Sequence, residues 1–222
     1  MNLVVYTAVI GSNTDSLKDP SPEALASGAR FVCFTDQPIE SKTWQIERVD
    51  LGVIGPVWAA RCYAVNPHRW FDGADATLWM DAAYELLVSP VEIADRYLWR
   101  HDICAFRHPR WSTLREEADA IARTDRAPRV VLERQLGAYR DRGFPVEQGK
   151  DLTTTGFLLR RYCRRVVEHS EVLWKEMIEW GHTRVQMAFD VAACDAEVDI
   201  GYLPGSYLGN EFAKWHPGPP GG

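Results

Sequence analysis

The stretch over residues 77–88 constrains the fold most, because apolar residues run up to a single acidic residue and resume just after it. A short run that is apolar on both faces is typical of a buried central strand. Open α/β sheets bind their ligands beyond the carboxyl ends of their strands, so Asp81 stands where a functional residue is expected. A carboxylate that only caps the following turn would explain Asp81 equally well, and the stretch alone leaves both interpretations open.

The composition limits the class of protein. A chain of 222 residues that is 46% hydrophobic fits one large domain. No run approaches the roughly 20 apolar residues of a membrane helix, and residues 1–10 lack a basic start and a cleavage site, so we expect no transmembrane segment and no signal peptide. The five cysteines form no CxxC pair, which favours reduced thiols and a cytoplasmic protein. The net charge of −6 argues against nucleic acid as a partner.

The first two predicted strands each end at a residue that suits nucleotide binding. Residues 3–10 are β-branched and apolar and stop at Gly11, which predicts a strand and then a turn where backbone N–H groups can approach a phosphate. Residues 31–35 predict a second buried strand that ends at Asp36. Asp36 fits either a contact to a ribose or base, or a turn residue.

Strands and helices alternate along the chain, which predicts an α/β fold with a mostly parallel central sheet flanked by helices. We expect one domain over residues 1–212 and a Pro/Gly-rich tail over residues 213–222, with loop structure from Lys214 onwards. Further strands are predicted at residues 44–49, 102–106, 153–160 and 198–203, and helices at 57–71, 91–99, 114–123, 130–142, 163–180 and 184–194.

The chain contains a series of short motifs in a characteristic order. They are Tyr6-Thr7-Ala8 with Gly11, Phe34-Thr35-Asp36, Arg61 before Pro67-His68, Leu78-Trp79-Met80-Asp81, His108-Pro109-Arg110 before Glu116-Glu117-Ala118, Gly143-Phe144-Pro145, Thr155-Gly156, Trp174, and Arg184-Val185-Gln186 with Phe189. Their order and spacing resemble a glycosyltransferase-like family, once classed as a domain of unknown function, with members in plant mucilage and cell-wall biology and in bacteria. That family is similar to GT-A glycosyltransferases, whose Rossmann-like sheet binds a nucleotide-sugar.

The resemblance implies transfer of a sugar from a nucleoside-diphosphate sugar to an acceptor hydroxyl. In GT-A enzymes an Asp-x-Asp motif holds Mn²⁺ or Mg²⁺ against the donor diphosphate. Asp81 takes the first acidic position and Ala83 the second, which leaves the metal requirement open. Glycogenin-type retaining enzymes add a late histidine beside lysine and tryptophan, so His216 is the second candidate ligand. A solvated histidine in a tail is the alternative.

The resemblance also implies catalytic and binding roles for further residues. The late helix of the family opens with Arg-Asp-Gln, and here Val185 replaces the acid. Glu85 and Asp190 are then the remaining candidates for the general base of an inverting enzyme, and the lack of a clear base favours retention. The predicted catalytic residues are Asp81, Arg184 and Gln186, the nucleotide-sugar contacts are Thr7, Ala8, Gly11, Asp36, Arg61 and Gly156, and the metal ligands are Asp81 and His216.

Two other functions compete with this prediction. A non-catalytic carbohydrate- or nucleotide-binding module would explain the loss of acids at Ala83 and Val185. A nucleotidyltransferase shares the sheet, but it needs a glycine-rich, lysine-bearing loop that the turn after Gly11 does not supply. The acceptor stays open between glycan, protein, lipid-linked sugar and small molecule. His108 and Arg110 either line the site or fix a loop.

Overall fold

A seven-stranded sheet forms the centre of the computed structural model, which describes residues 1–11, 17–149 and 151–217. The strands are β1 (Leu3–Val9), β2 (Arg30–Thr35), β3 (Gln45–Arg48), β4 (Ala76–Met80), β5 (Tyr84–Leu86), β6 (Ile103–Arg107), β7 (Thr153–Arg161), β8 (Ile200–Tyr202) and β9 (Ala213–Trp215). The sheet order is β3-β2-β1-β4-β7-β6-β8. All neighbours pair in parallel except β7, which is antiparallel to both β4 and β6. The prediction of an α/β fold with a mostly parallel sheet is confirmed.

Helices cover both faces of the sheet. They are α1 (Pro22–Ala26), α2 (Pro56–Val65), α3 (Pro90–Tyr97), α4 (Leu114–Arg123), α5 (Arg129–Asp141), α6 (Arg164–Trp180) and α7 (Gln186–Asp195), with a 3₁₀ turn at Pro67–Arg69. The first residue of α1, α2 and α3 is proline, which lacks the N–H that the start of a helix leaves unpaired. The start of α4 is fixed by a capping box, in which the Thr113 hydroxyl accepts from the backbone N–H of Glu116 and the Glu116 carboxylate accepts in return.

The two faces of the sheet carry separate apolar cores, because alternate residues of a strand point to opposite sides. In β1, Leu3 and Val5 pack on the side of α3, whereas Val4 and Tyr6 pack on the side of α2, α6 and α7. A third cluster lies between α4, α5 and α7. Strands buried on both faces explain why the sequence shows continuous apolar runs instead of an alternating pattern.

The predicted elements differ from the observed ones where the chain breaks. Residues 57–71 do not form one helix: α2 ends at Val65, and the 3₁₀ turn follows because Pro67 lacks the N–H that would continue the helical hydrogen bonds. Residues 77–88 divide into β4 and β5, separated by a turn at residues 81–83. Residues 184 and 185 precede α7 and are not part of it.

The predicted loop from Lys214 onwards is wrong for Lys214 and Trp215. Both lie in β9, which pairs antiparallel with β5. The backbone N–H of His216 continues this pairing by donating to the carbonyl of Ala83 at 2.9 Å. Residues 12–16 of the predicted loop after Gly11, and residues 218–222 of the tail, lie outside the described residues. Over the described ranges, no helix is long and apolar enough to cross a membrane.

Candidate functional site

A cavity of about 210 Å³ opens at the carboxyl end of β4. Five residues predicted for the site line it together: Arg61, Asp81, Gly156, Arg184 and Gln186. They come from four places in the chain. Arg61 lies on α2, Asp81 follows β4, Gly156 lies in β7, Arg184 lies just before α7, and Gln186 is the first residue of α7. The fold therefore gathers residues that are up to 125 positions apart in the sequence.

Asp81 is held at the end of β4 by the neighbouring strand. Its backbone N–H donates to the carbonyl of Gly156 at 2.9 Å, and its own carbonyl accepts from Tyr84 at 2.9 Å. Burial raises the pKa of the Asp81 carboxyl to about 6, and the positive charge of Arg61 partly opposes that rise. A carboxyl group with a pKa of this size is a common feature of functional sites, since it can bind a cation, accept a hydrogen bond or carry a proton near neutral pH.

Gly156 leaves room for the Asp81 carboxylate. A β-carbon at position 156 would lie 2.9 Å from Oδ2 of Asp81 and 3.8 Å from the ring of Tyr84. No real side chain makes so close a contact without displacing its neighbour. The glycine is therefore required by the position of the carboxylate.

The cationic side of the cavity is formed by Arg61 and Arg184. The Nε atom of each is buried without a hydrogen-bond partner among the described residues, and so is Nε2 of Gln186. The Arg184 guanidinium lies 3.7 Å from Oε1 of Glu117, whose side chain is 6% exposed. Burial lowers the pKa of Arg184, and Glu117 opposes this effect. Unpaired N–H donors that border one cavity are suited to an anion or to the hydroxyl groups of a sugar.

His108 both lines the cavity and fixes a loop. Its Nδ1 accepts from the backbone N–H groups of Trp111 at 2.8 Å and Arg110 at 3.3 Å. Burial, assisted by the charge of Arg110, lowers the pKa of His108. The neutral ring then carries its proton on Nε2, the nitrogen that remains free to donate. Arg110 itself is exposed and does not line the cavity.

The predicted nucleotide contacts lie at the carboxyl ends of β1 and β2, next to this cavity and not within its lining. The backbone N–H of Gly11 donates to Oδ1 of Asp36 at 3.0 Å. Burial works to raise the pKa of Asp36, but hydrogen bonds from Gln37 and Gly11 outweigh it and leave that pKa lowered. Thr7 is fully buried in β1, and Ala8 packs on the side of α2.

Helix α2 connects these two regions. Its first residue, Pro56, lies 3.6 Å from the place that a β-carbon on Gly11 would occupy. Arg61, five residues further along the same helix, lines the cavity. The strand ends that we expect to hold a nucleotide and the cavity that holds Asp81 are thus bordered by one helix.

The side-chain donors of the site do not fit a divalent cation held by protein ligands. Asp81 is the carboxylate among the described cavity-lining residues, and Ala83 offers no side-chain ligand. His216 Nε2 lies 2.9 Å from Oε2 of Glu85, so these two side chains pair with each other. No group of three or more His, Cys, Asp or Glu side chains in the described part of the chain could hold a metal ion, although Mn²⁺ and Mg²⁺ require several oxygen ligands. A metal role for Asp81 and His216 stays a prediction.

Neither candidate for a general base lines the cavity. Glu85 pairs with His216. Asp190 on α7 accepts from the backbone N–H of Thr153 at 3.1 Å through Oδ2, while Oδ1 is buried without a described partner. Burial raises the pKa of Asp190 to about 6.

The sequence assigned no role to four lining residues, namely Thr154, Thr155, Thr183 and Tyr207, although Thr155 is part of the Thr155-Gly156 motif. The run of three threonines before Gly156 was a usable signal, because it places hydroxyl groups at the end of a strand. Tyr207 lies in a loop without a sequence pattern, and its carbonyl accepts from the hydroxyl of Tyr84 at 2.8 Å. Its position follows only from the tertiary structure.

Comparison with known proteins identifies a related family. A family model described as "TOD1/MUCI70, glycosyltransferase-like domain" matches residues 63–195, which include Asp81, Gly156, Arg184 and Gln186. A relative from Arabidopsis thaliana, "Probable hexosyltransferase MUCI70", is 31% identical over 78 residues. That match covers 34% of this chain and 13% of the relative, so the chain aligns with only a small part of the larger protein.

Proposed function

This chain belongs to the TOD1/MUCI70 glycosyltransferase-like family, and on that basis we propose that it transfers a sugar from a nucleoside-diphosphate sugar to an acceptor hydroxyl. The observation that supports the proposal most is the cavity at the end of β4, where one carboxylate, two guanidinium groups and an amide meet. The name of the relative specifies a hexosyltransferase, and we propose a hexose as the transferred sugar. The acceptor is a glycan, a protein, a lipid-linked sugar or a small molecule.

The residues divide into three roles in this proposal. Gly11 and Asp36, with Thr7 and Ala8 behind them, border the nucleotide at the ends of β1 and β2. Arg61 and Arg184 pair with the diphosphate, since guanidinium groups contact phosphate oxygens through two parallel N–H bonds. Asp81 and Gln186 contact the sugar, for which Gly156 leaves the necessary space.

The reaction exchanges one bond for another. The acceptor oxygen forms a bond to the anomeric carbon, and the bond from that carbon to the diphosphate oxygen breaks with its electron pair remaining on the leaving nucleotide. The acceptor proton passes to the diphosphate oxygen or to solvent. The two guanidinium groups stabilise the charge that develops on the diphosphate, which is the main requirement for such a leaving group.

We propose retention of configuration. An inverting enzyme needs a carboxylate base on the acceptor side, and Asp81, the acidic group among the described lining residues, is assigned to the donor. Nuclear magnetic resonance of the product's anomeric proton distinguishes the two outcomes. A cytoplasmic location is also part of the proposal, and the five free cysteines support it.

The test is thermal unfolding with a panel of nucleoside-diphosphate sugars, together with an assay for release of the nucleoside diphosphate. A ligand at 100 times its dissociation constant stabilises the folded state by about 2.7 kcal/mol, which raises the melting temperature by roughly 5–10 °C for a chain of this size. We expect a shift for one donor, its slow hydrolysis, and loss of hydrolysis in Asp81→Asn.

Two results would contradict this proposal. Binding of a donor without hydrolysis and without transfer to any acceptor in a glycan array would favour the non-catalytic binding module, which the losses at Ala83 and Val185 also suggest. If no nucleotide-sugar changes the melting temperature, the proposal that this chain has a donor site is wrong.

A further inference from the structure

We propose that Arg61 and Arg184 together take the place of a divalent cation, so that this site binds a diphosphate group without metal. The inference rests on the proposed function, because it assigns the charge partner of the donor. In GT-A enzymes Mn²⁺ or Mg²⁺ commonly neutralises the charge on the donor diphosphate. The described carboxylates and histidines of this chain do not come together to hold such an ion.

The arginine pair provides the charge that a metal would supply. A divalent cation brings two positive charges to a diphosphate, and two guanidinium groups bring the same number. Guanidinium groups stay protonated at all physiological pH values. They also present flat, two-pronged donor groups that match phosphate oxygens.

Both arginines have donors available for a ligand. The Nε of Arg61 and the Nε of Arg184 are each buried and make no hydrogen bond within the described structure. A buried N–H group without an acceptor is unfavourable. Each guanidinium also carries four N–H groups on its two Nη atoms, and because Arg61 and Arg184 both line the cavity, they favour an occupant with several acceptors.

Arg61 and Arg184 are the cationic groups of the cavity, and the acidic groups next to them are Asp81 in the lining and Glu117 beside Arg184. Arg61 makes no ion pair among the described residues, and its charge opposes the rise that burial causes in the pKa of Asp81. Arg184 is paired at 3.7 Å with Glu117, and Arg61 in turn lowers the pKa of Arg184. Two guanidinium groups that repel each other across one cavity become mutually compatible when a doubly charged anion binds between them.

The two arginines come from segments that are far apart in the sequence. Arg61 lies on α2, which also borders Gly11, and Arg184 lies just before α7. Contacts from two rigid elements fix an extended group at both ends, whereas one side chain would leave it free to rotate. A diphosphate between a nucleotide at Gly11 and a sugar at Gly156 is a group of this kind.

Isothermal titration calorimetry with inorganic pyrophosphate tests the proposal directly. Pyrophosphate carries the proposed recognition group without nucleotide or sugar, so the arginine site is measured separately from the donor site. Each titration is run in EDTA and again with Mn²⁺, and is repeated with a nucleoside diphosphate. The variants are Arg61→Gln and Arg184→Gln, with Arg69→Gln as the control, because Arg69 is exposed and lies outside the cavity.

We expect pyrophosphate and the nucleoside diphosphate to bind in EDTA, with affinities that Mn²⁺ changes by less than threefold. Arg61→Gln and Arg184→Gln should each lower the affinity at least tenfold, and Arg69→Gln should leave it unchanged. Replacing Arg184 leaves Glu117 buried without its partner and can unfold the chain. Arg61 has no described ion pair, so Arg61→Gln alone keeps the test decisive.

The outcomes separate the two proposals. If the nucleoside diphosphate binds only with Mn²⁺, the arginine inference is overturned and the glycosyltransferase proposal stands. If pyrophosphate binds through the arginines in EDTA but no nucleotide-sugar binds or reacts, the anion site stands and the glycosyltransferase proposal fails. If nothing binds under any condition, both are wrong.

Discussion

A β-carbon on Gly156 would lie 2.9 Å from Oδ2 of Asp81, so the carboxylate occupies the space that any side chain at position 156 would need. The same two residues are joined through their backbones, where the N–H of Asp81 donates to the carbonyl of Gly156 at 2.9 Å. The backbone pairing of β4 with β7 is therefore separate from the side-chain contact between the Asp81 carboxylate and Gly156. This contact allows the site to be disturbed without disturbing the fold.

Gly156→Ala should reduce donor hydrolysis at least tenfold while the fold remains. The added methyl group displaces the end of the Asp81 side chain, which can rotate, so we expect a loss of stability near the lower end of the about 1–3 kcal/mol that overpacking costs. Thermal unfolding and donor hydrolysis measured on the same sample distinguish the two effects. Unchanged hydrolysis would show that the position of the carboxylate does not matter.

Gly137→Ala is the matched control for this substitution. Gly137 lies inside α5, and a β-carbon there meets no atom within 4 Å. Alanine in a helix interior is favoured over glycine by about 0.5–1 kcal/mol. We expect higher stability and unchanged hydrolysis, and a loss of hydrolysis in this variant would show that the assay responds to general changes in the chain.

The raised pKa of Asp81 predicts the pH dependence of activity. Burial brings this pKa to about 6, so hydrolysis that requires the carboxylate should rise between pH 5 and pH 7 with a midpoint near 6. Asp190 also has a pKa of about 6, so Asp190→Asn is the necessary comparison. We expect Asp190→Asn to keep the midpoint. Loss of the midpoint in that variant would instead assign the titration to Asp190.

Asp81→Asn should remove the activity and stabilise the protein. Since the carboxyl has a pKa of about 6 when folded against 3.8 as its reference value, the folded state binds more protons between pH 4 and pH 6, and stability falls as pH rises through that range. A difference of about two pH units corresponds to at most about 3 kcal/mol. Urea unfolding of both forms should show a gain for Asp81→Asn at pH 7 that vanishes near pH 4. A loss of stability at pH 7 would contradict the unfavourable burial of this carboxylate.

The sequence predicted the layout of the fold because the central strands are apolar on both faces and because α1 to α4 begin at a proline or a capping box. It also predicted the position of Asp81 at the end of a central strand, since a single acidic residue follows an apolar run there. The direction of β7 could not be predicted in this way, because no local pattern marks it as the strand that runs antiparallel to β4 and β6. The family resemblance supplied Arg61, Arg184 and Gln186, which no local pattern distinguishes from surface residues.

Contacts between short segments that are far apart in the chain could not be predicted from the sequence. Strand β9 has three residues, and only its pairing with β5, about 130 positions earlier, makes it a strand. The pair formed by Glu85 and His216 and the approach of Tyr207 to the cavity depend on that same tertiary arrangement. Segments this short carry too little apolar periodicity for a prediction.

Glu176 should be important for stability without affecting the site. Its buried carboxylate accepts from the hydroxyl of Tyr139 at 2.9 Å, from Nε1 of Trp180 at 2.9 Å and from the guanidinium of Arg142 at 2.6 Å. Glu176→Gln removes the charge and one acceptor, which should cost about 1–3 kcal/mol. Glu179→Gln changes an exposed residue of the same helix and should change stability by less than about 0.5 kcal/mol. Equal effects of both substitutions in urea unfolding would show that this network contributes little.

His216→Ala decides between the two roles of this histidine. If the ion pair with Glu85 only stabilises the pairing of β9 with β5, the substitution should lower the free energy of unfolding by less than about 1 kcal/mol, because both side chains are about one-third exposed. Binding of a nucleoside diphosphate in EDTA and in Mn²⁺ should then be unchanged. His101→Ala is the control, since His101 pairs with Asp199 at 2.6 Å beside β6 and β8 and outside the cavity. A loss of Mn²⁺-dependent binding in His216→Ala alone would identify His216 as a metal ligand and would overturn the assignment of the diphosphate charge to Arg61 and Arg184.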